Sequence, residues 1–148
     1  MLNILVIGSG AREHAIVRSL SGSSKKKEIY CLATNYNPGI AQVCKDISVA
    51  DINDPETVKI YAKKKKIDFA IIGPENPLAN GVADALFDIG VESVGPKKDL
   101  AQIETSKSFT RNLLTEYKIP GCPKFKTFSS MEGVEEFLGK LGDYYVVK

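Results

Sequence analysis

Two apolar rhythms alternate along the first hundred residues. Asn3 to Ile7 reads as the first strand, its Ile4 to Ile7 an unbroken run of leucine and β-branched residues, the composition of a strand buried on both faces of a parallel sheet. It stops at Gly8-Ser9-Gly10. A helix follows, with Ala11, Ala15, Ile16 and Leu20 marking its apolar face, and Ser21-Gly22-Ser23-Ser24 breaks it. Glu28 to Ala33 reads as a second strand, residues 35–39 as a turn-rich loop, and Val43 to Val49 as a short third strand. Asp54-Pro55 then opens a helix with a capping residue and a proline at the first helical position. That helix runs through Val58, Ile60 and Tyr61 into Lys63 to Lys66. Asp68 to Ile72 is another buried strand, stopped by Gly73-Pro74. A helix from about Leu78 to Asp88 ends at Gly90, and Val91 to Val94 is a short strand closed by Gly95-Pro96.

This alternation predicts the α/β class, with a Rossmann-like, mostly parallel open sheet. Ligands in such sheets bind at the carboxyl ends of the strands. Two of those ends, Gly8 to His14 and Gly73 to Gly81, are the unusual loops of this sequence. After Pro96 the rhythm changes. A helix over Ser106 to Tyr117, a strand over Phe125 to Phe128 and an amphipathic helix over Ser130 to Leu141 are expected. Tyr144 to Lys148 reads as a strand with no turn behind it, so the carboxyl end is expected to be truncated.

Composition narrows the function classes. The chain is 43% hydrophobic and 26% charged, with a formal net charge of +2. That balance is too mild to argue for a nucleic-acid or membrane partner. The lysine clusters at 25–27 and 63–66 carry no interleaved aromatics, and so lack the stacking platform of a nucleic-acid groove. Apolar runs are strand-sized, far short of a membrane span, and no secretory signal opens the chain; a cytoplasmic location is expected. Cys31, Cys44 and Cys122 form no CxxC pair, which suits a reducing compartment, and Cys31 is expected as a small core residue. A single histidine excludes a His-rich zinc site within this segment.

Gly8-Ser9-Gly10-Ala11-Arg12-Glu13 matches the first two glycines of the dinucleotide fingerprint and then departs from it. Glu13 stands where the third glycine should be, and Ala33-Thr34-Asn35 replaces the acidic residue that would hold a ribose. NAD binding is therefore disfavoured. What remains is a tight turn presenting backbone N–H groups at a helix start, suited to a phosphate or carboxylate, or else a plain strand-to-helix turn. Arg12 can fork onto an anion, and Glu13 can accept from an amine or a ribose hydroxyl. His14 is assigned an orienting role, with a neutral core histidine as the alternative. Glu75, held between Pro74 and Pro77, is a second carboxylate at the same sheet edge, or a solvent-facing helix cap.

Residues 6–15, Val-Ile-Gly-Ser-Gly-Ala-Arg-Glu-His-Ala, resemble the opening signature of glycinamide ribonucleotide synthetases. Asn37-Pro38-Gly39 resembles the loop that follows it, and residues 67–82 resemble the second signature. Val94-Gly95-Pro96, Ala101 and Glu104 to Phe109 resemble the entry into the ATP-grasp region. Ser9 is a small departure, since the family carries Asn or Gly there. The resemblance implies a pre-ATP-grasp domain over residues 1–100 and the start of an ATP-grasp domain over 101–148. In such enzymes ATP phosphorylates the glycine carboxylate, and the amine of phosphoribosylamine attacks the acyl phosphate. No enzyme nucleophile is required, so no catalytic residue is expected. Substrate contacts are implied for Gly8, Gly10, Arg12, Glu13, His14, Glu75 and Pro77, and ATP contacts for Lys107 and Lys148. The glycine-rich lid and the ligands for Mg²⁺ or Mn²⁺ lie outside this sequence, in the missing carboxyl-terminal part. The 148 residues alone are accordingly expected to lack ligase activity. Another purine-pathway ATP-grasp enzyme, or a standalone non-catalytic nucleotide- or metabolite-binding module, is the alternative.

Overall fold

Five short strands carry the apolar runs: β1 (Leu2–Ile7), β2 (Lys27–Ala33), β3 (Asp46–Val49), β4 (Phe69–Ile72) and β5 (Glu92–Val94). In the computed structural model, which describes residues 1–147, they form one sheet in the order β3-β2-β1-β4-β5. Every neighbouring pair is parallel. β1 lies at the centre, which is why it needs apolar residues at consecutive positions: Leu5, Val6 and Ile7 are all fully buried. Removing each from water contributes about 1.5–3 kcal/mol. Leu5 and Ile7 join the larger core with Leu32, Ile72, Leu78 and Leu86, while Val6 faces the opposite cluster with Val17, Cys31 and Ile40. The edge strands admit polar residues, Asp46 and Ser48 in β3 and Glu92 and Ser93 in β5.

The helices of this part are α1 (Ala11–Ser21), α2 (Pro38–Ala41), α3 (Pro55–Lys65), α4 (Glu75–Ala79), α5 (Val82–Phe87) and α6 (Lys98–Thr105). Asp54 caps α3 as its sequence predicts, accepting from the backbone N–H groups of Glu56 at 3.2 Å and Thr57 at 3.1 Å. Several expectations are corrected. The buried apolar residue of α1 is Val17, whereas Ala11 and Ala15 are exposed and Ile16 and Leu20 only half-buried. Ile60 is exposed, and α3 buries Val58, Tyr61 and Ala62 instead. The helix expected from Leu78 is two short ones, because the chain turns through Gly81 at φ 87°. Asn37, with its side chain accepting from the N–H groups of Gly39 and Ile40, makes α2 out of the loop expected at 35–39.

The chain divides into two compact units, with the second beginning at Ser106. That unit holds α7 (Lys107–Glu116), capped by Ser106, and α8 (Val134–Leu141). Phe128 and Phe137 meet edge to face at 5.8 Å. The helix expected from Ser130 starts only at Val134. Neither expected strand forms: residues 125–128 and 144–147 are not in ladders, because a strand needs a hydrogen-bonding neighbour and no described residue pairs with them. Lys148, expected to end the second of these, lies outside the described residues.

Candidate substrate cleft at the sheet edge

From β1 the chain winds outward through β2 to β3, then returns across the sheet to place β4 on the other side of β1. The winding direction reverses between β1 and β4. At such a point the loops leaving two adjacent strands diverge and open a crevice. The two loops are Gly8 to Gly10 and Gly73-Pro74, and the sequence had singled out both.

Glu13 ties them together. It is only 4% exposed, the one buried charged residue among those described. Its Oε2 accepts from the Gly10 backbone N–H at 2.6 Å, the reach-back half of a capping box. Its carboxylate lies against three glycines. A Cβ added to Gly73 would stand 2.0 Å from Oε1, one on Gly8 2.8 Å from Cδ, and one on Gly10 3.0 Å from Oε2. The N-terminal end of α1 is therefore already occupied by an anion, the protein's own carboxylate, in the position the helix dipole favours. The turn expected to suit a phosphate or carboxylate thus gives its Gly10 N–H to the protein's own Glu13 carboxylate. Glu13, expected to accept from an amine or a ribose hydroxyl, is buried at that edge.

Arg12 crosses the same gap on the outside. Its Nη1 donates to the Gly73 carbonyl at 2.6 Å, and the rest of the guanidinium is exposed. His14 points elsewhere: its ring packs on Gly39, where an added Cβ would lie 2.6 Å from Cε1. Asn37 steadies the turn there, donating to the Ser9 carbonyl at 2.8 Å. Consecutive helical positions rotate by about 100°, so these neighbours in sequence brace different loops. His14 is thus not brought beside Glu75.

Two clefts flank Glu13. One, about 310 Å³, is lined by Gly10, Arg12, Glu13, Pro74 and Glu75 among others. Glu75, exposed on the first turn of α4, thus shares a cleft with Glu13 and Arg12. The other, about 240 Å³, lies toward β2 and β3. Pro77 contributes to its wall, yet its side chain is fully buried. Ser9, Thr34, Asn53 and Asn76 line this second cleft too, and the sequence reading missed them as ligand-facing residues. The available signal was topological, since Thr34 and Asn53 follow the carboxyl ends of β2 and β3. Lys107 is exposed at the start of α7, in the other unit.

Burial raises the Cys31 thiol to about 12; it donates to the Gly8 carbonyl at 3.3 Å and so braces the glycine turn from beneath. Cys31 is the small core residue expected of it. Among the described residues no group of three or more His, Cys, Asp or Glu could hold a metal ion, and no helix is long and apolar enough to cross a membrane.

Residues 2–104 match the family model described as phosphoribosylglycinamide synthetase, N domain. The chain belongs to this family. It is 43% identical over 145 residues to the phosphoribosylamine–glycine ligase of Methanosarcina barkeri, a match covering 98% of this chain and 34% of the relative. With the ligase of Methanocaldococcus jannaschii it shares 46% identity over 141 residues, 95% of this chain and 32% of the relative. The chain thus spans about a third of the length of the curated relatives it matches. Among solved structures it resembles phosphoribosylglycinamide synthetase from Anaerococcus prevotii, with TM-score 0.63 and 15% identity over 94% of this chain and 34% of that one. N5-carboxyaminoimidazole synthetase from Staphylococcus aureus, solved with ADP, gives TM-score 0.74 and 15% identity over 95% and 36%. At such identities the structures share the fold and do not discriminate between enzymes. The sequence match does, and it favours the phosphoribosylglycinamide synthetase family over its fold relatives.

Proposed function

We propose that these residues are the amino-terminal part of a phosphoribosylamine–glycine ligase, which joins glycine to 5-phosphoribosylamine with hydrolysis of ATP. The observation that carries this reading is the match to phosphoribosylamine–glycine ligases across 98% of the chain, running through both loops that meet at the sheet edge. In the proposed reaction ATP phosphorylates the glycine carboxylate, and the substrate amine displaces phosphate from the acyl phosphate. Such chemistry asks for orientation and charge stabilisation, with no nucleophile from the protein.

The cleft lined by Arg12, Glu13 and Glu75 suits the amine-bearing substrate. Two carboxylates favour an ammonium or amine N–H, and the free face of the Arg12 guanidinium favours an anionic group. In this proposal Gly8 and Gly10 allow close approach, Pro77 shapes the wall, and His14 orients the neighbouring turn through Gly39. Lys107 is proposed to face ATP, as is Lys148, which lies outside the described residues. A divalent cation would accompany ATP in the proposed reaction. The described residues do not fit such an ion, for no group of three or more His, Cys, Asp or Glu among them could hold it. The cytoplasm is the proposed location, and a polypeptide of residues 1–148 alone is proposed to be inactive.

The test is turnover by the full-length protein with ATP, glycine and phosphoribosylamine, read as ADP and glycinamide ribonucleotide formed together. Replacing Glu75 by Gln should raise KM for phosphoribosylamine and leave KM for ATP unchanged. Formation of ADP with no glycinamide ribonucleotide, or an E75Q effect confined to ATP, would overturn the assignment.

A further inference from the structure

The cleft toward β2 and β3 differs in chemistry from its neighbour. No lysine or arginine lines it, and Glu13 is its only charged residue. Its polar side chains are Ser9, Thr34, Asn53 and Asn76, neutral groups that each donate and accept. A phosphate would be badly matched by such a wall, whereas sugar hydroxyls, which also donate and accept, would be well matched.

Asn53 stands out among them. Its Oδ1 is buried without a hydrogen-bond partner, the one such side-chain atom among those described. Buried polar groups in folded proteins are paired almost without exception, so an orphan in a cleft wall calls for an explanation. Asn37 and Asn3 are by contrast committed to the protein: Asn37 bridges Ser9 to the start of α2, and Asn3 donates to the carbonyls of Lys65 and Lys66. The Asn53 backbone is fixed, its N–H donating to Asp51 Oδ1 at 2.9 Å. Its amide therefore sits at a set place while its oxygen holds no bond that rotation about Cβ–Cγ would break. The residue follows the carboxyl end of β3, on the ligand side of the sheet.

We propose that this cleft is a sugar subsite and that Asn53 reads a hydroxyl of the bound pentose, its orphaned acceptor turning to take the hydroxyl proton. Ser9 and Thr34, whose hydroxyls lie 3.3 Å apart, line the same cleft. The inference rests on the reading of phosphoribosylamine as substrate, and it adds where the sugar lies and which residue discriminates it.

The test uses the full-length protein with Asn53→Leu, similar in size but without hydrogen-bonding atoms, and Asn53→Asp, similar in shape but acceptor-only and charged. One neutral hydrogen bond predicts a rise of about five- to tenfold in KM for phosphoribosylamine in N53L, with kcat and the KM values for glycine and ATP within twofold of wild type. Melting temperature should not fall in N53L, because no bond to the protein is lost. Should N53L fail to fold, Asn53→Ala, which also lacks the acceptor, carries the same comparison, while N53D, which keeps an acceptor, should lose less affinity than either. Calorimetric titration with ribose 5-phosphate reads the subsite apart from turnover, and N53L should weaken it by the same factor. Equal ribose 5-phosphate affinity in wild type and N53L, as a bridging water alone would give, overturns the inference; so does no binding by wild type. Discrimination of ribose 5-phosphate in a wild type that makes no glycinamide ribonucleotide overturns the ligase reading and leaves the sugar subsite standing.

Discussion

Gly73→Ala separates the two reasons a glycine can be required. The backbone of Gly73 is outside the left-handed region, so alanine fits its conformation. At such a site the exchange ordinarily stabilises a protein by about 0.4–1 kcal/mol through the unfolded state. Here the added Cβ would lie 2.0 Å from Glu13 Oε1 and 2.6 Å from Cδ, which no packing tolerates, and the buried Glu13 carboxylate has to move. Its charge-assisted bond to the Gly10 N–H then goes, a loss of about 1.5–3 kcal/mol. Crowding of the loop costs about 1–3 kcal/mol, partly the same energy. We expect a net destabilisation of about 2–4 kcal/mol, which raises hydrogen exchange at the Leu5, Val6 and Ile7 amides roughly 30- to 900-fold. In a Glu13→Ala background the clash is gone, and G73A should become neutral or stabilising. Gly8→Ala is the control: with φ 119° at Gly8, it should destabilise in either background. A G73A cost below about 0.5 kcal/mol, or a cost unchanged by E13A, would refute the assignment of Glu13 as the clasp between the loops.

Two further outcomes concern titrating groups. The Asp46 carboxyl is held below its ordinary range, first by its hydrogen bond from Lys65 and then by those from Tyr61 and Ser48. A depressed folded value means stability that is present above the ordinary pKa of 3.8 and lost as pH falls through the lower folded one. Urea midpoints should therefore hold from pH 7 to 5 and fall below about pH 4, and Asp46→Asn should flatten that fall; an unchanged acid limb in the variant would count against the network. Burial raises Cys31 to about 12 and Cys44 to about 11. Alkylation of the native protein at pH 8 should accordingly spare both while labelling Cys122, as read by mass spectrometry of peptides. Labelling of Cys31 before Cys122 would contradict the buried assignment.

Much of the sheet was legible because local pattern and global position agree. A central strand has to be apolar at every position, and Leu5, Val6 and Ile7 are. The Asp54-Pro55 start of α3 is equally local, a cap and a proline that need nothing distant. The misreadings arise where a neighbour far along the chain decides the outcome. Helix α6 went unseen because it is only eight residues long and carries Leu100, Ala101 and Ile103 as its only apolar positions, too few for a helical period to show. Residues 125–128 have a strand's composition but no described partner, and composition cannot supply one. Glu13 is the sharpest case. Its place in the glycine fingerprint was visible, but its burial depends on Gly73, sixty residues away, and no spacing rule connects them. The orphaned Asn53 oxygen was likewise invisible, since an unmade bond has no sequence signature.

The exchange of a glycine for Glu13 also shapes what the cleft can take. In a dinucleotide turn the third glycine lets the helix approach the sheet, and the helix N-terminus is left to the pyrophosphate. Here the close approach has moved to Gly73 on the adjoining loop, and the vacated position carries a carboxylate that takes the Gly10 N–H at 2.6 Å. The local charge available to a ligand is thereby reversed. A phosphate at this turn would meet an anion already in place, at a separation where low dielectric magnifies the repulsion. An amine would meet Glu13 and Glu75 across one cleft, and a neutral sugar would meet the amide and hydroxyl wall of the other. The division of labour we propose, amine toward Glu75 and pentose toward Asn53, follows from that single replacement. It also predicts the behaviour of Glu13→Gly: restoring the glycine should weaken binding of an amine-bearing ligand and strengthen that of inorganic phosphate, measured by competition calorimetry. If phosphate binds the wild-type turn as well as it binds E13G, the carboxylate is not what sets the preference.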